Sequence, residues 1–291
     1  MKTVLIIGCG DIGQRVAQLC QQKGAQQVYG LVRSDDTIRQ LETQSITPIR
    51  GDLNQVETLQ DLPTKEATIF YFAPPPKEGS TDPHLRNFLS TITVDNYPAK
   101  FILISTTAVY GDCQGAWITE DQPVNPQTDR GRRRLDGENA LEQWAQRTGV
   151  PSTILRVGGI YGPGRYPIAR LQKGLPILRE EDSPYTNRIH QDDLAMICMA
   201  AADWGVAGDI YNVADGQPGT MSGYFKTVAK AAGLPLPPEV SRSEAEKQMT
   251  PGMLSYLQES RRLDNSKLIK GLQVNLRYPN LEMGLKQGDI S

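Results

Sequence analysis

Three glycines near the start of the chain have the spacing of a phosphate-binding turn. Gly8, Gly10 and Gly13 form the pattern G-x-G-x-x-G directly after the apolar run Val4–Ile7. In such a turn the first glycine allows a sharp bend, the second lets the backbone approach a pyrophosphate, and the third packs a helix against a strand. The amino end of the following helix then presents N–H groups to the anion. An ordinary glycine-rich turn is the alternative, but the position between a strand and a helix predicts dinucleotide binding by Gly8, Gly10, Asp11, Ile12 and Gly13.

The residues after the second predicted strand bear on which dinucleotide binds. A fold that prefers NAD usually places an acid there to bind the ribose 2′-hydroxyl, whereas this chain has Arg33. A guanidinium offers paired N–H donors to a 2′-phosphate, and Ser34 adds a hydroxyl. Asp35 and Asp36 follow, so NAD remains an alternative, as does a solvated Arg33. The sequence favours NADP over NAD.

Three further loops are predicted to lie along the cofactor. Asp52 and Leu53 follow the third predicted strand and suit a loop over the adenine. Ala73 and Pro74 follow the fourth strand, and the two prolines after them suit a rigid wall. Gly158 follows the sixth strand and is predicted to allow close backbone approach to the nicotinamide end. Each of these segments also has an ordinary interpretation as a loop or turn.

Seven apolar segments alternate with amphipathic helices, which is typical of a parallel sheet covered on both faces. The predicted strands are Val4–Ile7, Gln27–Val32, Thr47–Arg50, Ala67–Phe72, Lys100–Ser105, Ser152–Arg156 and Asp209–Val213. The predicted helices are Asp11–Lys23, Thr37–Thr43, His84–Asn96, Arg134–Thr148 and Asp192–Ala202. Because crossovers between parallel strands are nearly always right-handed, the pattern predicts an α/β fold with a doubly wound, mostly parallel, seven-stranded Rossmann sheet.

The composition of the chain changes after residue 163. Residues 164–189 and 216–291 carry proline, glycine and charge with little periodicity. We predict that they form a small C-terminal substrate lobe over the carboxyl ends of the strands, where ligands of open α/β sheets bind. Residues 1–163 and 190–215 would then form the NAD(P)-binding domain.

The overall charge and composition bear on the class of partner. The 31 basic and 33 acidic residues nearly balance, so the net charge of −2 indicates neither nucleic acid nor an anionic membrane as a partner. No apolar run approaches the roughly 18 residues that span a bilayer. Cys9, Cys20, Cys113 and Cys198 form no C-x-x-C pair, and two histidines are too few to suggest a zinc site. We therefore predict a cytoplasmic protein with a small-molecule substrate and no metal.

Further motifs follow the glycine turn in order along nearly the whole chain. They are Ser105-Thr-Thr-Ala-Val-Tyr-Gly111, Leu155-Arg-Val-Gly-Gly-Ile-Tyr-Gly-Pro-Gly-Arg165, Arg188-Ile-His-Gln-Asp-Asp-Leu194, Tyr211-Asn-Val-Ala-Asp215, Ser260-Arg-Arg-Leu-Asp-Asn-Ser-Lys267 and Tyr278-Pro279. With them the chain resembles the short-chain dehydrogenase/reductase superfamily, and more narrowly its extended and atypical branch, the NAD-dependent epimerase/dehydratase family. The resemblance implies an oxidoreductase or epimerase acting on a small polar or anionic substrate such as a nucleotide-linked sugar. It also implies a homodimer formed through the predicted helices His84–Asn96 and Arg134–Thr148.

The chain departs from this family at the catalytic motif. The resemblance implies that Thr106 binds the substrate oxygen and that a Y-x-x-x-K motif follows, but the aligned positions hold Arg130 and Arg134. The family's tyrosine is a general acid and base, whereas arginine stays protonated to about pH 12 and cannot exchange a proton near neutrality. The usual proton relay is therefore missing, and Tyr110, Tyr161, Asp129 and His190 are the candidate replacements.

Three interpretations of the arginine cluster at residues 130–134 remain open. It is the solvated start of a helix, or Arg130 and Arg134 clamp a phosphate or carboxylate, or the cluster binds nucleic acid. The first needs a compensating partner such as Glu138, Asp129 or a bound anion, because positive charge in a first turn opposes the helix dipole. We favour the clamp.

Two functions follow from these residues. The first is an NADP-binding oxidoreductase or epimerase whose non-standard site uses Thr106, Arg130 and Arg134. The alternative is a redox-inactive NADP(H) sensor that regulates a partner.

Overall fold

The computed structural model describes residues 1–287 and residue 290. Its strands are β1 (Thr3–Ile7), β2 (Gln27–Val32), β3 (Thr47–Arg50), β4 (Thr68–Tyr71), β5 (Lys100–Thr106), β6 (Trp117–Ile118), β7 (Ser152–Val157), β8 (Gly159–Tyr161), β9 (Ile177–Leu178), β10 (Tyr185–Thr186), β11 (Arg188–His190), β12 (Ile210–Val213), β13 (Gly219–Thr220), β14 (Glu239–Val240) and β15 (Arg262–Leu263). Its α-helices are α1 (Asp11–Gln22), α2 (Asp35–Thr43), α3 (Pro83–Ser90), α4 (Asp129–Thr148), α5 (Ile168–Gln172), α6 (Gln191–Trp204), α7 (Met221–Ala231), α8 (Arg242–Gln248), α9 (Pro251–Leu257), α10 (Ser266–Gly271) and α11 (Leu281–Gln287). Short 3₁₀ helices lie at Val56–Leu59, Val94–Asn96, Thr107–Tyr110 and Glu180–Asp182.

Seven strands form one parallel sheet in the order β12-β7-β5-β4-β1-β2-β3. The chain builds outward from β1 in both directions, so the order reverses between β1 and β4. This is the doubly wound Rossmann arrangement that the strand pattern predicts. At such a reversal, the crossover helices leave on opposite faces and open a crevice at the carboxyl ends of the strands.

Strand β1 is buried on both faces of the sheet. Val4 and Ile6 pack into one apolar cluster, whereas Leu5 and Ile7 pack into another on the opposite side. All four side chains have no exposed surface. Since alternate residues of a strand point to opposite faces, the uninterrupted apolar run is what a central parallel strand requires.

Two predicted helices have an end that differs from the structure by five residues or more. The predicted helix His84–Asn96 ends as α3 at Ser90, where β-branched residues of lower helix propensity follow and the Thr91 hydroxyl donates to the Phe88 carbonyl. A separate 3₁₀ turn then begins at the Thr93 capping box. Helix α4 starts at Asp129 rather than Arg134, since the Thr128 hydroxyl accepts from the Gly131 N–H and caps it there. The arginine cluster therefore lies inside the helix.

A third apolar cluster lies outside the main sheet. It joins Tyr161 and Tyr166 to Phe225 and Val228 of α7 and to Leu285 of α11. Four two-stranded pairings, β10-β13, β11-β8, β14-β9 and β15-β6, connect the less periodic segments of the sequence. Within the described part of the chain, no helix is long and apolar enough to cross a bilayer.

Candidate functional site

A cavity of about 1000 Å³ opens at the reversal of strand order, and we call it the switch-point cavity. It contains every predicted cofactor-binding residue except Gly158. These residues are Gly8, Gly10, Asp11, Ile12, Gly13, Arg33, Ser34, Asp52, Leu53, Ala73 and Pro74. The volume lies at the upper end of the range for small-molecule sites, about 300–1000 Å³, so an extended ligand fits.

The three glycines of the turn fit a bound diphosphate for different reasons. Gly8 has a φ of +85°, and a Cβ there would lie 2.6 Å from the Ala73 backbone nitrogen, so no other residue fits. A Cβ on Gly13 would press on the Gly8 carbonyl at 3.1 Å, which keeps helix α1 close to β1. A Cβ on Gly10 would meet nothing within 4 Å. Gly10 thus leaves open space at the amino end of α1, where its missing side chain also leaves the first N–H groups uncapped.

The end of β2 presents donors rather than acids to this cavity. Arg33, Ser34 and Thr37 line it, and the Ser34 hydroxyl caps α2 by accepting from the Thr37 N–H at 3.3 Å. Asp35 and Asp36, the two acids that leave NAD as an alternative cofactor, are not among the lining residues. Asp35 pairs with Arg50, and Asp36 pairs with Arg39. Both carboxylates are therefore occupied away from the cavity.

The opposite wall of the cavity is held by His84, which the sequence analysis placed only in a helix. One ring nitrogen of His84 lies 2.9 Å from the Pro74 carbonyl oxygen, and the other lies 3.1 Å from Oδ1 of Asn54. The Asn54 N–H donates to Asp52, which lowers the pKa of that carboxyl. His84 therefore links the predicted adenine loop to the proline wall.

A second cavity of about 680 Å³ adjoins the first, and we call it the lobe cavity. Thr106, Arg130, Arg134 and Gly158 all line it. The two cavities share a wall made of Pro74, Pro75, Pro76, Lys77, Arg134, Ile160 and Arg165. Ligands in the two cavities would therefore lie side by side.

Thr106 ends β5 with its hydroxyl at the lobe cavity. The hydroxyl oxygen accepts from the Ala108 N–H at 3.4 Å and caps the 3₁₀ helix that follows. Its own O–H remains a donor for a ligand oxygen.

Arg134 lies on the wall between the two cavities. Its Nη1 donates to the Ile104 carbonyl at 3.2 Å, which orients the guanidinium. Burial lowers the pKa of Arg134, and nearby Asp82 opposes that shift. Arginine nevertheless stays protonated at neutral pH, so this group is a fixed positive charge with further N–H donors.

Arg130 is held by the C-terminal part of the chain. Its Nη2 lies 3.6 Å from Oε2 of buried Glu259, and its Cζ lies 3.6 Å from the ring centroid of Tyr256 on α9. Arg130 is therefore only partly exposed, with 26% of its side chain accessible. Glu138 is not its partner, because that carboxylate pairs with Arg156.

Several lining arginines were missed by the sequence analysis, and they make the lobe cavity strongly cationic. Arg133, Arg188 and Arg261 join the predicted pair, and Glu259 is the acid among the lining residues. Arg188 stacks on Tyr224, with Cζ 3.7 Å from the ring centroid. Among the described residues, Nε of Arg133 and Nε of Arg188 are buried without a hydrogen-bond partner. Neither guanidinium forms an ion pair with a described acid, and an uncompensated positive charge at the cavity favours an anionic ligand.

The four candidate replacements for the proton relay do not line either cavity. Tyr110 and Tyr161 are buried in the interior, and burial raises the pKa of each phenol. His190 accepts from the Asp192 N–H at the start of α6, and burial lowers the pKa of its ring. Asp129 pairs with Arg132 on the outside of α4. The tyrosines that line the lobe cavity are Tyr185, Tyr224 and Tyr256.

Gly158 lies at the lobe cavity rather than the switch-point cavity. A Cβ on Gly158 would lie 2.8 Å from the Asn187 carbonyl oxygen. Glycine is therefore needed here for close packing of β7 against the segment before β11. This packing accounts for the glycine without a nicotinamide, so contact with a nicotinamide stays a prediction.

Comparison with known proteins places this geometry in a family. The model of the NAD dependent epimerase/dehydratase family matches residues 4–214. Among relatives, protein YeeZ of Escherichia coli is 27% identical over 258 residues, covering 84% of this chain and 88% of that protein. Protein y4nG of Sinorhizobium fredii is 33% identical over 141 residues, and the match covers 46% of this chain and 35% of that protein.

Solved structures resemble the chain over nearly its full length. A conserved protein of unknown function from Silicibacter pomeroyi is 27% identical, with a TM-score of 0.82 and coverage of 98% of this chain and 97% of that one. UDP-glucuronic acid 4-epimerase from Bacillus cereus, solved with NAD, is 21% identical, with a TM-score of 0.77 and coverage of 98% and 97%. At 21% identity, the similarity to this epimerase shows a shared fold and no more. The family match includes the phosphate turn, the wall that the two cavities share and β12, and this chain belongs to the NAD dependent epimerase/dehydratase family.

Proposed function

We propose that this chain is an NADP(H)-binding oxidoreductase or epimerase-like protein that acts on a small anionic substrate, with a nucleotide-linked sugar as the leading class. The dinucleotide would occupy the switch-point cavity and the substrate the lobe cavity. The observation that carries the proposal is the shared wall between the two cavities, because a substrate in one cavity would lie next to a cofactor in the other. Bound nicotinamide would supply a hydride donor or acceptor there.

The preference for NADP rests on the charges at the end of β2. Arg33 lines the cavity, Ser34 and Thr37 add hydroxyls, and the neighbouring carboxylates of Asp35 and Asp36 are already paired with arginines. A 2′-phosphate would gain charge-assisted hydrogen bonds at this point. A 2′-hydroxyl would find no carboxylate acceptor in the lining segment that follows β2.

The chain's own residues have distinct roles in this proposal. Thr106 would donate its hydroxyl to the reacting oxygen, and Arg134 would hold negative charge on the wall between the ligands. Arg130 would bind the anionic group together with Arg188, although its ion pair with Glu259 must loosen for this. The proton would come from water, from the substrate or from a cavity hydroxyl, since the usual tyrosine and lysine are absent. Without a positioned relay the rate falls by about 10²–10⁴-fold.

The substrate lobe is part of the same proposal. Residues 164–189 and 216–291 supply Tyr185, Arg188, Tyr224, Tyr256 and Glu259 to the lobe cavity, which supports the predicted division into two domains. We also propose a cytoplasmic location, which suits the free thiols. A homodimer through α3 and α4 remains a proposal, and light scattering on the purified chain tests it.

A redox-inactive NADP(H) sensor is the second candidate, favoured by the two arginines at the relay positions. The double variant Arg130→Tyr with Arg134→Lys discriminates the two functions. If the pocket is still built for redox chemistry, this variant gains NADPH-dependent turnover of a carbonyl compound while NADPH affinity is kept. A silent variant with intact affinity favours the sensor.

The direct test of the proposal is a fluorescence titration with NADPH and NADH, followed by a screen for NADPH oxidation with nucleotide-linked sugars, aldehydes and ketones. We expect NADPH to bind more tightly than NADH and one anionic class to turn over. Equal binding of both coenzymes would contradict the preference for NADP. Binding of neither would end both candidate functions.

A further inference from the structure

An ion pair joins the phosphate turn to the segment that precedes α5. Asp11, the first residue of α1, accepts on Oδ2 from Nε of Arg165 at 2.8 Å, and Nη2 of Arg165 also lies 2.8 Å from that oxygen. Arg165 comes from the loop between β8 and α5, and its side chain is half-buried. Both residues line the switch-point cavity, and Arg165 also lines the lobe cavity. The pair therefore lies beside the uncapped amino end of α1.

Asp11 is an unexpected neighbour for a diphosphate. A carboxylate at the amino end of a helix is stabilised by the helix dipole, but it repels an anion that binds to the same N–H groups. Burial raises the pKa of Asp11, yet hydrogen bonds from Arg165 and Arg15 outweigh it, so the pKa lies below its usual value and the group stays ionised. Its charge must be balanced by neighbouring cations for an anion to bind there.

The two arginines on Asp11 differ in what else they contact. Nε of Arg15 lies 2.9 Å from Oδ1 of Asp11, and its Nη1 donates to Asp192, so both ends of this guanidinium are used by acids. Arg165 contacts only Asp11 among the described acids, and its Nη1 has no hydrogen-bond partner in residues 1–287. Arg165 is thus the cation that can serve a second anion.

We propose that Arg165 binds the diphosphate of the dinucleotide and that Asp11 positions Arg165 rather than contacting the cofactor itself. The proposal rests on the proposed dinucleotide binding and adds a residue from the predicted substrate lobe to that site. The carboxylate holds Nε and Nη2, which leaves the outer edge of the guanidinium for phosphate oxygens. Because Arg165 also lines the lobe cavity, cofactor binding fixes the boundary between the two ligands.

The test separates the diphosphate from the 2′-phosphate by using fragments. Dissociation constants are measured by calorimetry for NADPH, for ADP-ribose, which carries the diphosphate alone, and for adenosine 2′-monophosphate, which lacks it. We expect Arg165→Ala to weaken NADPH and ADP-ribose by about tenfold and to leave adenosine 2′-monophosphate unchanged. Arg165→Lys should recover part of the loss, because it keeps the charge but not the fork. Arg39→Ala is the matched control, since Arg39 is also paired with an aspartate but lies far more exposed.

A second pair of variants tests the role of Asp11. If Asp11 acts through Arg165, then Asp11→Asn in the Arg165→Ala background should strengthen NADPH binding, because only repulsion between carboxylate and diphosphate remains to be removed. No change or a further loss in that background would overturn the positioning role. If circular dichroism shows that the Arg165→Ala variant is folded and it still binds ADP-ribose as tightly as the wild type, the proposed contact between Arg165 and the diphosphate is wrong. Failure of the wild-type chain to bind NADPH would instead refute the proposed function.

Discussion

Glu138 of α4 and Arg156 of β7 form a buried ion pair, with Oε2 of the carboxylate 2.7 Å from Nη2 of the guanidinium. The Ser105 hydroxyl donates to the same carboxylate, and the Arg156 guanidinium lies over the Tyr110 ring. The pair thus fixes helix α4, and with it Arg130 and Arg134, against the sheet.

Removing one partner of this pair should destabilise the fold. Glu138→Gln leaves the Arg156 charge buried without a counter-charge, and we expect the free energy of unfolding to fall by about 3 kcal/mol. Urea denaturation measures it. Glu142→Gln, an exposed position on the same helix, is the control and should change stability little. Equal stability of both variants would mean that Arg156 finds another partner.

Arg33→Ala should change coenzyme preference rather than coenzyme binding in general. We expect NADPH to bind about ten- to hundredfold more weakly, because charge-assisted hydrogen bonds to the 2′-phosphate are lost. NADH affinity should stay within about twofold, since its ribose has no phosphate for the guanidinium to contact. Parallel fluorescence titrations of both coenzymes give the ratio. Equal losses for both coenzymes would place Arg33 outside the 2′-phosphate site.

Arg134→Ala should weaken ligands in both cavities because its guanidinium lies on their common wall. We expect a loss of roughly tenfold or more for NADPH and a comparable loss for UDP, used as an anionic probe of the lobe cavity. Calorimetry on each ligand alone separates the two effects. Arg132→Ala on the same helix is the control, because Arg132 pairs with Asp129 and does not line either cavity. Similar losses in both variants would indicate a general effect of positive charge.

Asp215 should make the stability of the chain fall as pH rises toward neutrality. Burial raises its pKa from the ordinary value of 3.8 to about 7, with Arg188 opposing the shift. The folded chain therefore keeps a proton that the unfolded chain releases, so this contribution to stability is present below about pH 4 and is lost between about pH 4 and pH 7. The amount is on the order of 4 kcal/mol.

The Asp215→Asn variant tests this sign. Its unfolding free energy, measured in urea from pH 4.5 to pH 7.5, should lack the decline attributed to Asp215. Asp36→Asn, at an exposed carboxylate, should keep the wild-type profile. A variant with an unchanged slope would mean that Asp215 titrates normally.

The sheet and the phosphate turn are predictable because their signals are local. The apolar run Val4–Ile7 requires burial on both faces, and the spacing of Gly8, Gly10 and Gly13 specifies both a turn and the space above it. The predicted helix at His84 is too long because its apolar residues keep a helical spacing past Ser90, although the β-branched residues that follow have lower helix propensity.

The partners of the arginine cluster are not predictable from the local sequence. Arg130 is held by Tyr256 and Glu259, which are brought to it only when the C-terminal segment folds over the sheet. Of the two acids that the sequence suggests as partners, Asp129 pairs with Arg132 of the cluster, whereas Glu138 pairs with Arg156 of β7. Arg188 lies in a segment with little periodicity, so its position at the lobe cavity could not be predicted from the sequence beyond its place in a motif.

Arg134 touches both cavities, and this has a thermodynamic consequence. If a bound ligand in one cavity moves that guanidinium, it changes the binding free energy of the ligand in the other cavity. The second ligand must change the binding free energy of the first by the same amount. A ligand that tightens the hold on the coenzyme will therefore be held more tightly by the coenzyme-loaded chain, whether or not any hydride ever passes between them.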